Sequence, residues 1–198
     1  MKRSKIILGI LILSVIALVL SGCGEGNLVT LPPLEENDTY ALGDTGPAGG
    51  LIFYDGGSYS DGWRYLEAAP SDQGTQIQWY NGTYGTYVVT GATGTAIGTG
   101  QANTTAIVNA QGAGSYAAQL CNELTVGGYN DWFLPSKDEL YEIWTSLFLE
   151  GVGGFAGNYY WSSSGNDTNL AWGQYFYNGG WYYDYKSSYN YVRAVRAF

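Results

Sequence analysis

The sequence predicts an α+β domain with helices placed between two groups of strands. Three observations carry that reading. Short runs bounded by Gly, Asp or Pro fill the first half, helical periodicity is confined to the middle, and an Asn-Gly pair separates two aromatic runs near the end.

In the first half, Leu51-Ile52-Phe53-Tyr54 and Trp63-Arg64-Tyr65-Leu66 read as strands. The Gly91-to-Gly100 stretch has the composition of a phosphate loop but lacks its lysine and its strand-loop-helix setting, so it reads as plain loop. A first helix is expected where Ala117, Leu120, Cys121 and Leu124 fall at i, i+3, i+4 and i+7, with Gly127-Gly128 as its stop. A second starts at Pro135-Ser136, where Glu139 completes a capping box and Leu140, Ile143, Trp144 and Leu147 form the apolar stripe. Strands return at Tyr159, and Asn178-Gly179 is expected to turn a hairpin between Trp172-to-Tyr177 and Trp181-to-Tyr185. Trp161, Trp172 and Phe176 are at in-facing spacing and read as core. Tyr175 and Tyr177 then face out, joined by Tyr183 and Tyr185 from the neighbouring strand.

The N-terminus has a separate logic. Lys2, Arg3 and Lys5 precede an uncharged apolar run from Ile6 to Leu20, which has the form of a secretory signal and is short for a membrane span. Leu20-Ser21-Gly22-Cys23 resembles the lipobox of bacterial lipoproteins. That resemblance implies cleavage after residue 22 and lipidation of Cys23, with acyl chains anchoring the chain to a bilayer. Glu25 stands second after Cys23, where inner-membrane retention signals resemble Asp, so the outer membrane or cell surface is expected. Residues 23–42, with Pro32, Pro33 and the acidic run Glu35 to Asp38, read as a flexible spacer. Residues 43–198 then form one domain of about 155 residues, large enough for a sizeable core.

Composition removes several function classes. The chain carries a net charge of −9, and loss of residues 1–22 leaves five basic against seventeen acidic side chains. Nucleic acid and anionic lipid headgroups are poor partners for such a surface. The absence of histidine excludes Ser-His-Asp and Cys-His catalysis and every His-ligated metal site. Cys23 and Cys121 are the only cysteines, so lipidation of the first leaves no disulfide, and Cys121 on its apolar stripe reads as a buried thiol. No cofactor is implied. Asn130-Asp131 alone is too little for a calcium site, and the Glu-Pro-Asn and Gln-Pro-Asp triplets of calcium-dependent lectins are missing.

Five blocks, taken in order, resemble the Lcl C-terminal domain family. They are Gly43-Asp44-Thr45-Gly46-Pro47-Ala48-Gly49-Gly50-Leu51-Ile52-Phe53-Tyr54, Tyr65-Leu66-Glu67-Ala68-Ala69-Pro70, Ile97-Gly98-Thr99-Gly100-Gln101-Ala102-Asn103-Thr104, Gly128-Tyr129-Asn130-Asp131-Trp132-Phe133-Leu134-Pro135-Ser136 and Tyr160-Trp161-Ser162-Ser163-Ser164, closed by Val192-Arg193-Ala194-Val195-Arg196. The resemblance implies a C-type-lectin-like fold of short twisted antiparallel strands with two helices, related in shape to formylglycine-generating enzymes, and the binding of sulfated glycans by the namesake. Two departures weigh against a polyanionic ligand here: Phe133 stands where the family has Arg after Asp-Trp, and the chain is acidic. Asp131, Trp132 and Pro135 are expected to fix a turn and start a helix, and Arg193 and Arg196 to tie strand ends to internal carboxylates.

The binding site is expected in the last strands. Residues Tyr159 to Tyr191 hold nine of the nineteen tyrosines, interleaved with Trp, Asn, Ser and Asp in the mix of an antibody-like paratope. The candidate ligand-binding residues are Asn166, Asp167, Asn169, Tyr175, Tyr177, Asn178, Trp181, Tyr182, Tyr183, Asp184, Tyr185, Ser187, Tyr189 and Asn190. The frame around them, Tyr160-Trp161-Ser162-Ser163-Ser164, Ala171-Trp172, Phe176, Gly179, Lys186 and Tyr191 to Phe198, resembles the variable proteins of diversity-generating retroelements. There, Asn codons drift toward Tyr, Asp and Ser.

The leading expectation is a surface-anchored, non-enzymatic lipoprotein that binds a protein or carbohydrate at a cell surface. A fixed-specificity lectin-type adhesin is the alternative. An enzyme of the formylglycine-generating type would need a reactive or copper-binding thiol pair, which one domain cysteine cannot supply.

Overall fold

The computed structural model describes residues 39–82 and 85–198. The signal segment, Cys23 and the spacer as far as residue 38 lie outside the described residues, and the compact unit runs from Thr39 to Phe198. Near its start the Tyr40 ring meets those of Tyr65 and Phe198 edge-on at 5.3 and 5.6 Å.

The fold is α+β. Among the described residues there are eight strands: β1 (Leu51–Ser60), β2 (Trp63–Ala68), β3 (Gly74–Gln78), β4 (Tyr159–Gly165), β5 (Leu170–Tyr175), β6 (Gly180–Tyr185), β7 (Tyr189–Val192) and β8 (Val195–Ala197). They form a three-stranded sheet, β1-β2-β8, and a five-stranded sheet, β3-β7-β4-β5-β6. Pairing is antiparallel except between β4 and β7, which meet in parallel at Tyr160 and Tyr191, a departure from the all-antiparallel expectation. β1 and β2 are joined by Asp61-Gly62, both at positive φ, as a tight hairpin turn requires.

Among the described residues, three α-helices stand where two were expected. The additional one, α1 (Gly100–Gln111), buries Gly100, Asn103, Thr104 and Ile107. This is the i, i+3, i+4, i+7 stripe of a helix, but three of its four members are not apolar, so hydrophobic periodicity misses it. Contacts replace apolar burial there. Asn103 and Gly94 exchange side-chain-to-backbone hydrogen bonds, and Thr104 Oγ1 accepts from Leu134 N–H at 3.0 Å.

The helix expected around Cys121, α2 (Ala117–Asn122), is only six residues long and ends before Gly127-Gly128. Those two glycines, at φ 63° and 86°, instead make a turn that bridges Val126 to Tyr129. The second expected helix, α3 (Lys137–Ile143), carries the capping box of Ser136 and Glu139 in full and continues as a π-helical turn, Trp144–Phe148.

Two cores flank the five-stranded sheet. One contains Trp79, Ile107, Tyr116, Cys121, Trp132, Trp161 and Val192, and the other Phe53, Leu66, Phe133, Leu140, Ile143, Tyr160, Phe176 and Val195. Neighbours Tyr160 and Trp161 enter opposite cores, as the two-residue period of a strand demands, so β4 is buried on both faces. Its buried serines are bonded, Ser162 Oγ to Trp172 O at 2.8 Å and Ser164 Oγ to Gly94 O at 2.6 Å.

Arg193 and Arg196 tie the end of the chain inward as expected. Arg193 donates to Asp72 at 2.7 Å and to the carbonyls of Ala69 and Gly153. Arg196 joins buried Glu67 at 2.8 Å and takes Asp131 in a two-pronged contact at 2.8 and 3.0 Å.

Candidate ligand-binding face

The hairpin β5–β6 places the tyrosine-rich segment at the rim of the larger sheet. Its loop has four residues, Phe176 to Gly179, because Phe176 turns into the core and is fully buried. Asn178 Oδ1 accepts from Gly180 N–H at 2.9 Å, and Gly179 lies so close to the Trp144 indole that a Cβ would sit 2.4 Å from it. Trp144 in turn donates to Phe176 O at 2.8 Å, which pins the loop to the helical layer.

Register decides which rings meet. Leu170, Trp172 and Gln174 lie opposite Tyr185, Tyr183 and Trp181, while Gly173 and Tyr175 lie opposite Tyr182 and Gly180. Odd positions of β5 thus pair with even positions of β6, so Tyr175 cannot share a face with Tyr183. The single aromatic face expected from the sequence is two faces.

The first looks toward α3. The Lys137 ammonium stands 4.1 Å from the Trp181 ring and 5.3 Å from that of Trp172, and 3.6 Å from Asp138. Tyr183 meets Trp172 edge-on at 5.3 Å, and Tyr141 lies 5.8 Å from Trp181 and 5.7 Å from Trp144. Trp172 is half-buried in this group and is not the fully enclosed core residue expected. Lys137 opens α3, where the helix dipole disfavours a cation; the two indole faces and Asp138 offset that.

The second face carries a stacked pair, Tyr159 on Tyr175 at 4.3 Å, with Tyr182 edge-on to Tyr159 at 4.7 Å and Tyr177 at 5.8 Å from Tyr175. Gly173 makes room for Tyr182, whose hydroxyl would lie 2.7 Å from a Cβ there. Burial pushes the Tyr182 phenol well above the ordinary tyrosine range.

Beyond these, Thr75, Gln76, Asn158, Tyr189 and Tyr191 line a cleft of about 390 Å³ with no charged side chain among them.

The expected site residues divide accordingly. Tyr177, Tyr183, Tyr185 and Tyr189 are the open ones, at 74, 56, 49 and 65 % exposure, and Asn166 and Asn169 are exposed on the β4–β5 turn. Several others have structural partners. Asp167 caps its turn by accepting from Asn169 and Leu170 N–H, Asp184 accepts from Tyr185 N–H and Ser188 Oγ, and Ser187 Oγ accepts from Tyr87. Asn190 is a correction: its strand position turns inward and leaves it 5 % exposed. Lys186 is buried against the Trp79 ring and donates to the carbonyls of Asp167 and Thr168, with burial drawing its ammonium below the usual lysine range.

Composition of the last strands could not reveal Lys137 or Tyr141, and Tyr159, inside the tyrosine-rich segment, was not among the expected site residues. The first two had a legible signal, since Lys137, Tyr141 and Trp144 fall at i, i+4 and i+7 on one side of the helix. The buried thiol of Cys121 stands apart from both faces, its ionisation driven far up by burial.

No curated protein matches the chain. The family model of the Lcl C-terminal domain matches residues 69–196, a span that begins just after β2, ends within β8 and takes in both aromatic faces, and the chain belongs to that family.

Proposed function

We propose that the chain is a surface-anchored, non-enzymatic binding module on a C-type-lectin-like scaffold, recognising a protein or glycan through the rings displayed by β5 and β6. The observation that carries this reading is the aromatic group of half-buried Trp172 and Trp181 with exposed Tyr183 and Tyr185, on strands and not on loops, beside a helix that supplies Lys137. Rigid amphipathic rings give large contact area at low entropic cost, and interface energy concentrates on Trp and Tyr. Lipidation of Cys23 holds the module to the cell envelope, at the outer membrane or cell surface. Its partners exclude nucleic acid, and the site uses no cofactor.

The test is a screen of the full-length chain, in detergent, against arrayed glycans and arrayed cell-surface proteins. Any ligand retained should lose about a hundredfold or more in affinity for the Trp181→Ala/Tyr183→Ala variant. Tyr175→Ala/Tyr177→Ala reports the opposite face. Retention of no probe, or equal binding by both variants and the parent, rules the reading out.

Diversification of the segment is the finer part of the proposal. Of the framing residues, Tyr160 to Ser164, Ala171, Phe176, Lys186 and Val192 to Arg196 are buried and Trp172, Gly179, Tyr191, Ala197 and Phe198 half-buried, while most residues between them are exposed or half-buried. That division suits a fixed scaffold with replaceable tips. A near-copy template repeat and a reverse transcriptase beside the gene would support it; their absence favours a fixed-specificity adhesin.

A further inference from the structure

The five-stranded sheet stops at β6, which pairs only with β5 among the described residues. The hydrogen-bond phase of that pair follows from its ends. Lys186 N–H donates to Asn169 O at 2.8 Å, so the bonded pairs two residues apart along the ladder are Ala171 with Asp184, Gly173 with Tyr182, and Tyr175 with Gly180. The other side of β5 agrees: Phe176 N–H donates to Asn158 O at 2.9 Å, which assigns the even-numbered residues of β5 to β4. Trp181, Tyr183 and Tyr185 therefore turn their N–H and C=O groups away from β5, toward the open edge. Asp184 Oδ1 takes the Tyr185 N–H at 2.7 Å. The main-chain groups of Trp181 and Tyr183 have no partner among the described residues.

Open edges are normally blunted by Lys, Pro, a bulge or a covering element. Gly180-Trp181-Tyr182-Tyr183-Asp184-Tyr185 has no Lys or Pro, and its six positions pair with β5 without a break in register. It is an aromatic strand without a bulge, and its one charge, Asp184, takes the Tyr185 N–H.

We propose that this edge takes up an extended, neutral-to-basic peptide segment of a partner protein as a sixth strand. Main-chain bonds to Trp181 and Tyr183 would hold it, and its side chains would fall alternately beside the Lys137–Trp181–Tyr183 face and beside Tyr182 and Asp184. The charge of the domain selects the occupant. Residues 39–198 carry five basic and thirteen acidic side chains, and of the basic ones Lys186, Arg193 and Arg196 are buried and Arg64 is paired with Asp55 at 2.8 Å. A second copy would bring the same acidic surface and be repelled, whereas a cationic segment is attracted. The inference rests on the binding reading above and names its partner class.

The experiment selects peptides of about twelve residues from a displayed random library on the full-length chain and compares two substitutions at one position. Tyr183→Ala removes the ring and keeps the N–H; Tyr183→Pro removes the N–H that faces the edge and leaves the β5 ladder intact. The proposal expects selected peptides to be rich in Lys or Arg, and Tyr183→Pro to weaken them at least about tenfold more than Tyr183→Ala. Peptides N-methylated at alternate residues check the same point without relying on a folded proline variant: one set of alternate positions should abolish binding and the other leave it intact. Equal losses for Ala and Pro with no alternation overturn the edge while leaving side-chain recognition standing. An empty selection overturns the peptide partner, and a wild-type dimer dissociated by Tyr183→Pro gives the edge to a second copy instead.

Discussion

Tyr182 lies over Gly173, and its buried hydroxyl has no hydrogen-bond partner among the described residues. An unsatisfied buried hydroxyl costs about 1–3 kcal/mol. Tyr182→Phe should therefore melt at the same temperature as the parent or higher, which a thermal scan reads directly. Cys121 is the opposite case, fully buried among apolar neighbours, so Cys121→Ser should cost about 1 kcal/mol or more and the native thiol should resist a charged alkylating agent. Cys121 was legible because its stripe is apolar at helical spacing. Asn190 was not, since its strand alternation points it inward while its composition looks like surface, and only the strands packed on either side decide between the two.

Among the elements, the start and buried side of α3 were readable, though not its π-helical continuation, and α1 was not. A capping box and four large apolar residues announce α3; α1 is held by Asn103, Thr104 and Gly100, whose partners lie on distant segments. Gly100 shows the difference in energy. In an exposed helix Gly→Ala adds about 0.5–1 kcal/mol of stability, but here the new Cβ would fall 2.2 Å from Glu139 Oε2 and 2.8 Å from the Phe133 ring. Gly100→Ala should therefore lower the denaturant midpoint, and an unchanged or raised midpoint would show that Glu139 can move aside. The hairpin of β5 and β6 was foreseen in place, yet its two faces were merged in expectation. Strand alternation was known, but the pairing of odd with even positions had to be carried through the turn.

Across the whole molecule, burial sets the response to alkali. The Tyr116 phenol is pushed up to about 12 by burial, and Tyr160 and Tyr182 are raised further by the same cause. The folded chain thus keeps protons that the unfolded chain releases near pH 10, so these groups support the fold below that pH and the support is lost as pH climbs through their raised values. Melting temperature should fall steadily above about pH 10, and Tyr182→Phe should flatten part of that slope.

Arg196 tests the closure of the fold from the other side. Arg196→Met leaves Glu67 buried without its cation and should cost about 3–5 kcal/mol. Burial already raises the Glu67 carboxyl, so that deficit should shrink as pH falls toward the carboxylate range and protonation removes the stranded charge. The positions of β7 and β8 have a further consequence. β7 joins β3 to β4, and β8 completes the sheet begun by β1 and β2, so neither sheet is whole until residues 189–197 have been made. A polypeptide interrupted anywhere in the aromatic segment lacks both and can complete neither sheet. Reading-frame errors in that segment therefore forfeit both sheets at once, and only chains translated through to the arginines can fold.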